Sequence, residues 1–513
     1  MRSPKLSCVL LALLVMGSGS SVLAQSVKPA ASDDVEKLRQ DVTELRAQVQ
    51  ALLKANSAKL PDASVAPSSA PAEKPLATHA EVEALQRDVT ALQAKTDTGS
   101  KNAGWNGEHF YLRSTDGEFQ MMPVGYVGSQ YTAYHGDGAP ANTFAITRAR
   151  FGVQGNYGKQ LDYSFVFETI SSPTIRDAFV DLKLSSGFKV LAGLNKVPFS
   201  MEVGTGDTAV EFYNRSIVQT IYPDAGGGFR APGIDLHGEL LDGRMDYHAG
   251  AFNGQGLLAN ATTNESELVG RMRFTPWKGS KEMKDLSGLS FGFSAEHSRS
   301  RGLSGEKSFS GVINDNTYTF FPQFAINGGV RRYNAFAAYL NGPLGLRAEW
   351  ANLTQARDNI GSIATGGIGF NSQPDIKANG YYLSATYLLT GEDEPANALP
   401  RVKHPVIGPN SPGESGGAGW GAWSVKFRYS HLTANAPGSS CTELTVPACP
   451  LTPVIAPGFS ATANQYTFGV NWYLNYWVVL KTDINVDQMK DPSVQGLSPR
   501  NYTLFIESLQ YRF

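Results

Sequence analysis

Arg148 and Arg150, Arg271 and Arg273, and Lys426 and Arg428 each stand two positions apart. In an extended chain that spacing places both cations of a pair on one face. By the same alternation Arg347 and Lys481 lie opposite the apolar face of their own segments. Guanidinium groups offer planar, paired donors and ammonium groups a compact charge, so such a row suits a small oxyanion such as phosphate. Asp162, Glu168, Asp177, Asp181, Asp235, Glu239, Glu296 and Glu349 alternate onto the same side. The basic row could therefore attract anions or be neutralised by its own carboxylates.

Other chemistries find little support. The eight histidines are scattered, with no pair at metal-ligand spacing in one short element. The G-x-S-x-G spacing occurs only at 288–292, within a strand-like stretch, and at 413–417, in a Gly- and Pro-rich loop, and no glycine-rich phosphate loop occurs. The expectation is a protein with no enzymatic activity, no metal and no cofactor. Cys8 lies in a leader-like segment, which leaves Cys441 and Cys449 in "SSCTELTVPACP". In an exported protein an isolated pair of this kind reads as a disulfide closing a short loop.

Export is indicated by residues 1–24: Arg2 and Lys5, an apolar run from Leu6 to Met16, then small residues up to Ala24. Removing Arg2 and Lys5 leaves 42 basic against 46 acidic residues, a net charge of −4. That balance offers no large basic face for nucleic acid. Residues 33–97 hold two heptad blocks, Val35, Leu38, Val42, Leu45, Val49 and Leu52, then Val82, Leu85, Val89 and Leu92. They predict an α-helical coiled coil interrupted by a Pro, Ala and Ser-rich linker at 56–78.

From Trp105 onward the helical period vanishes and strand-length, period-2 segments recur between Gly, Asn, Asp and Pro turns. In "QLDYSFVFE" Leu161, Tyr163, Phe165 and Phe167 share one face; in "AWSVKFRYSH" Trp423, Val425, Phe427 and Tyr429 do. Sixteen such strands are predicted, near 119–133, 144–157, 160–169, 175–184, 187–197, 233–241, 244–253, 267–275, 289–298, 330–341, 344–354, 379–389, 420–431, 464–473, 477–487 and 502–513. Short turns alternate with long loops at 198–232, 299–329, 355–378, 390–419 and 432–463. An even strand count with one-sided long loops predicts an all-β fold, a closed transmembrane barrel over 105–513. Trp472, Tyr473, Tyr476 and Trp477 are placed for an interfacial girdle. The chain finishes on "ESLQYRF", with Phe513, Tyr511 and Leu509 on one face. A final strand that must close against the first cannot fray.

The stretches "FYLRSTDGEF" (110–119), "RARFGVQGNYGKQLDYSFVFE" (148–168), "AGLNKVPFSMEV" (192–203), "FYNRS" (212–216), "DYHAGAFNG" (246–254), "YLLTGE" (387–392) and the terminal "QYRF" together resemble the phosphate-selective porin O and P family. The resemblance spans essentially all of 105–513. It implies a sixteen-stranded outer-membrane barrel of a Gram-negative bacterium, usually a homotrimer, with an N-terminal coiled coil in the periplasm. It also implies a constriction loop at 198–232, with Lys196, Arg215 and Arg230 at or on it, and a terminal Phe513 offered to the barrel assembly machinery. The function implied is passive passage of small anions through a lipid-embedded pore, phosphate or polyphosphate first. A general or organic-acid diffusion pore, or a barrel tethering the membrane to the cell wall, are the alternatives.

Overall fold

The computed structural model describes residues 102–513 except 107, 137–138, 171–173, 224–227, 255–264, 303–308, 314–317, 325, 362–369, 409–418, 438–458 and 491–499. The leader, the heptad segments and the Cys441–Cys449 pair therefore lie outside the described residues.

Sixteen antiparallel strands close into a barrel, and two short N-terminal strands extend the same sheet. In chain order the barrel strands are β1 (Phe119–Gly136), β2 (Thr143–Tyr157), β3 (Leu161–Glu168), β4 (Thr174–Ser185), β5 (Phe188–Lys196), β6 (Arg230–Leu240), β7 (Met245–Phe252), β8 (Glu267–Phe274), β9 (Leu289–Gly302), β10 (Ile326–Asn341), β11 (Leu344–Gly361), β12 (Phe370–Leu388), β13 (Ala422–Ala436), β14 (Phe459–Tyr473), β15 (Val478–Lys490) and β16 (Arg500–Arg512). Each pairs with its sequence neighbour, and β16 pairs with β1 from Tyr502↔Gly136 to Arg512↔Tyr126. Closure satisfies every strand edge, which a lipid surround demands. All sixteen predicted strands are present. Several run further than expected, so the 355–378 loop shrinks to 362–369, and the 299–329 loop holds a hairpin, Phe309–Ile313 with Tyr318–Phe324.

The terminus is locked as its alternation suggested. The Phe513 N–H donates to Gly125 O at 3.1 Å, and Gly125 N–H donates to Phe513 O at 2.9 Å. The Phe513 ring lies over Gly125 so closely that a Cβ there would stand 2.0 Å from Cζ. Leu509 and Tyr511 face outward, and Glu507, the misfit on that face, accepts from Thr482 Oγ1 at 2.7 Å.

Two expectations need correction. The long segment 389–421 joins β12 to β13 at the end of the barrel that carries the short turns, because Leu388 and Ser424 pair there. Long connections are thus not confined to one end. Its Leu399 and Val402 pack on Leu388, Ala422, Tyr473, Tyr476 and Val479. Of the girdle candidates, Trp472 stacks on Trp423 at 5.1 Å, but Tyr473 and Tyr476 are buried. Tyr476 lies between Arg401 and Arg512, whose guanidinium carbons are 4.0 and 3.9 Å from its ring centre.

Candidate functional site: the lumen and its constriction

Between β5 and β6 the chain folds into the barrel. Ser200 caps a single helical turn, Met201–Gly204, by accepting from Val203 N–H at 3.1 Å, and a 3₁₀ turn follows at Ile217–Ile221. The first-turn N–H groups of Met201 and Glu202 have no partner within the turn. Both donate to the Glu349 carboxylate of β11 at 3.1 Å, which also accepts from Asn334 Nδ2 at 2.8 Å and Tyr382 Oη at 3.1 Å. Four donors from β10, β12 and the loop thus converge on one buried acid.

The loop's apolar face fixes which wall it covers. Val197, Phe199, Val203, Val218, Ile221 and Tyr222 pack on inward-facing Ala351, Leu353, Ile376, Ala378, Leu432 and Ala434. Lumen positions of a water-filled barrel are ordinarily polar. Here β11 to β13 carry apolar residues inward near the long-loop end, and the loop removes them from water.

This cover splits the predicted basic row. Lys426, Arg428 and Lys481 face inward as alternation requires, yet they are 5 %, 1 % and 0 % exposed. Lys426 pairs with Asp483 at 2.6 Å and donates to Glu211 O at 2.8 Å. Lys481 donates to Val210 O at 2.6 Å, and Arg428 meets Glu202 at 3.2 Å. Arg347 pairs with Glu211 at 2.7 Å and with Glu394 of the 389–421 segment at 3.0 Å. That segment also reaches the loop itself, where Asn397 Oδ1 accepts from Gly206 N–H at 2.6 Å. The reading of these four cations as lining the water path is therefore corrected: buried beneath the loop, they bind its backbone and its acids.

On the facing wall the cations cluster around the loop's free edge. Asp207 accepts from Arg150 Nη1 at 2.5 Å, Arg215 Nη2 at 2.7 Å and Lys196 Nζ at 3.3 Å. Burial would raise its carboxyl, but Lys196, Arg215 and Arg150 hold it well below the usual carboxylate range. Arg150 also meets Glu168 at 2.7 Å, and Arg230 meets Asp177 at 2.9 Å. Arg148 donates to Thr147 O at 2.7 Å. Arg176 lies against Gly228, and its buried Nε has no hydrogen-bond partner among the described residues.

Two register shifts build this wall. Between Gly128↔Arg148 and Ser129↔Ile146 the extra residue Thr147 reverses the alternation. Phe144 and Ile146 face outward as a result while Arg148 and Arg150 face in. Between Val166↔Asp177 and Phe167↔Ile175, Arg176 is the extra residue. It thereby joins Asp177 on the lumen side, where a strict period of two would have turned it to lipid. Strand alternation missed Arg176 for this reason, and only the register reveals it.

Toward the short-turn end, several inward carboxylates have side-chain partners. Asp162 pairs with Lys183, Asp246 with Arg273 at 2.5 Å, Asp181 with His237 at 3.0 Å and Asp235 with His248 at 2.7 Å. The two imidazoles stack at 5.3 Å. Arg271 is held over Phe336, 5.1 Å from the ring centre. Among the described residues no group of three or more His, Cys, Asp and Glu is placed to hold a metal.

The profile of the phosphate-selective porin O and P family matches residues 125–492. The chain belongs to that family. It is thus a porin, a channel of the outer membrane of a Gram-negative bacterium. No curated protein matches the sequence. Among solved structures this porin is similar to an anion-selective porin from Comamonas acidovorans, at 14% identity and TM-score 0.48, covering 77% of this chain and 100% of that one. It is also similar to OmpT of Vibrio cholerae at 12% identity and TM-score 0.48, covering 79% and 100%. The outer membrane channel DcaP of Acinetobacter baumannii matches at 11% identity and TM-score 0.45, covering 78% and 99%.

Proposed function

We propose that this porin selects small anions at the free edge of its constriction loop, with phosphate-like oxyanions as the preferred class. One observation carries the reading. Around Asp207 five cations, Arg148, Arg150, Arg176, Lys196 and Arg215, face two carboxylates, Glu168 and Asp207, while Arg230 is buried and paired with Asp177. Among the other inward cations of the described residues, Arg273 pairs with Asp246, and Arg347, Lys426, Arg428 and Lys481 are covered, so positive charge is in excess where the loop narrows the passage. A narrow, partly desolvated zone weights its charges far above those in wide water. Guanidinium groups supply forked donors for an oxyanion that chloride cannot use.

The long-loop end faces outside and the short-turn end faces the periplasm, as in other bacterial barrels. The chain enters β1 at the short-turn end, which accords with residues 33–97 lying in the periplasm. The heptads at 33–97 support oligomerisation without fixing its number, and the family membership supports a homotrimer.

Single-channel recording in planar bilayers tests the reading. A reversal potential favouring chloride over potassium, with chloride current blocked by added phosphate, is the expected result. Potassium preference would mean that the lumen carboxylates prevail. Chloride preference without phosphate block would leave a general anion pore.

A further inference from the structure

The outer face of the barrel carries a feature unrelated to the lumen. Across β6 to β10 a row of register partners reads Leu236, Ala249, Gly270, Ala295 and Tyr333. Three small residues on consecutive strands thus lie between two large ones. One step toward the long-loop end the row reads Ile234, Ala251, Leu268, His297 and Arg331, and one step the other way Tyr247, Met272 and Phe293 restore bulk on β7 to β9. The small residues form the floor of a groove of about 710 Å³, walled by Ile234, Leu236, Leu268 and Tyr333. Ile234, Leu268 and Tyr333 are 54%, 55% and 50% exposed, so these walls meet the membrane.

The long-loop end of the groove is basic. His297 and Arg331 are register partners, both point outward and both are exposed. Neither has a hydrogen bond or ion pair among the described residues. Arg299, two residues on along β9, also points outward and meets Glu265 at 3.2 Å across an exposed pair. An unpartnered guanidinium beside the hydrocarbon region is costly unless it stands at headgroup level, where an anion can meet it. Tyr333, an aromatic of the kind that marks the membrane interface, lies one outward step below Arg331.

We propose that this groove is a binding site for one acyl chain of a phosphate-bearing glycolipid of the outer leaflet. The chain would lie over Ala249, Gly270 and Ala295, and the headgroup phosphate would meet Arg331 and His297. Apolar complementarity selects the tail, and the unpartnered Arg331 guanidinium, with the His297 imidazole beside it, selects the anionic head. The placement in the outer leaflet rests on the orientation proposed above. The site itself is independent of which ion the lumen prefers.

Two substitutions separate tail from head. A Cβ built at Gly270 meets nothing within 4 Å, so Gly270→Leu fills the groove without disturbing the strands. Arg331→Gln removes the charge and leaves the groove open. The full-length protein is equilibrated in phosphatidylcholine vesicles containing a saturated-acyl, bisphosphorylated glucosamine disaccharide lipid, then extracted and weighed by native mass spectrometry. Retained glycolipid on the wild type is expected, with about a tenfold loss of retention in each variant. Loss of retention is also expected for the same lipid without its phosphates. Unchanged retention in both variants, or equal retention of the dephosphorylated lipid, overturns the proposal. So does a change of oligomer mass in Gly270→Leu with lipid retention intact, since a second barrel would then occupy the groove. Heat-modifiable migration of each variant checks that it has folded, and the wild-type reversal potential, measured separately, reports on the lumen alone.

Discussion

The two walls of the lumen carry similar cations and use them differently. On β11 to β15 the Arg347, Lys426, Arg428 and Lys481 side chains point inward and disappear beneath the constriction loop. On β2 to β5 Arg148, Arg150, Arg176 and Lys196 gather at that loop's free edge, with Arg215 on the loop itself and Arg230 of β6 buried against Asp177. Direction toward the lumen is therefore not contact with the water path. What separates the walls is the apolar inward surface of Ala351, Leu353, Ile376 and Ala378, which draws the loop to one side.

The sharpest way to break this contrast is to unpair the covered wall. Asp483→Ala leaves Lys426 buried without its 2.6 Å partner and Tyr213 N–H without its acceptor. A buried charge left uncompensated costs roughly 3–5 kcal/mol. Lower resistance of the folded barrel to heat in detergent, together with larger and noisier conductance, is expected. Full stability would show that the covered cations do not hold the loop.

Glu349→Ala is next in size. It deprives two loop N–H groups, Asn334 and Tyr382 of one acceptor. Hydrogen bonds to a charged group contribute about 1.5–3 kcal/mol each at most, and rearrangement recovers part of that. Conductance should rise with little change in the sign of selectivity.

The open wall should respond the other way. Arg215→Ala, Arg150→Ala and Arg176→Ala are expected to move the reversal potential toward zero, most strongly at low salt. The shift should shrink between 0.1 and 1 M, where the Debye length falls from about 10 to about 3 Å. Lys481→Met, made in parallel, should leave selectivity unchanged, because Lys481 is wholly buried. A selectivity shift in Lys481→Met equal to that in Arg215→Ala would erase the distinction between the walls.

Acid should have the smallest effect. Burial pushes the Glu202 carboxyl up against the pull of Arg428, so Glu202 loses its charge before Asp207 as pH falls. Asp207 has a depressed value in the folded protein, so what it contributes to loop stability is present above the ordinary value of about 3.9 and is lost only as pH falls through its lower folded value. From pH 7 to pH 5 the cluster around Asp207 should stay intact and anion preference should hold or rise slightly. Reversal potentials recorded at both values would reveal the contrary.

How much of this was legible in the sequence depended on distance along the chain. Period-two alternation, turn residues and heptads are local, so the sixteen strands, the closing role of Phe513 and the inward side of most cations could be read directly. Arg176 could not, because a one-residue register shift is a property of two strands and not of one. The fate of Lys426, Arg428 and Lys481 was hidden for a further reason. Their burial depends on where a loop more than 200 residues earlier comes to rest. The 390–419 stretch reads as one more loop on the long side, but strand pairing places it at the opposite mouth, with Asn397 against Gly206. The sequence by itself determined a porin barrel and its supply of charge; the tertiary structure decided which charges an ion meets, because covering one wall requires apolar surfaces from remote strands to coincide.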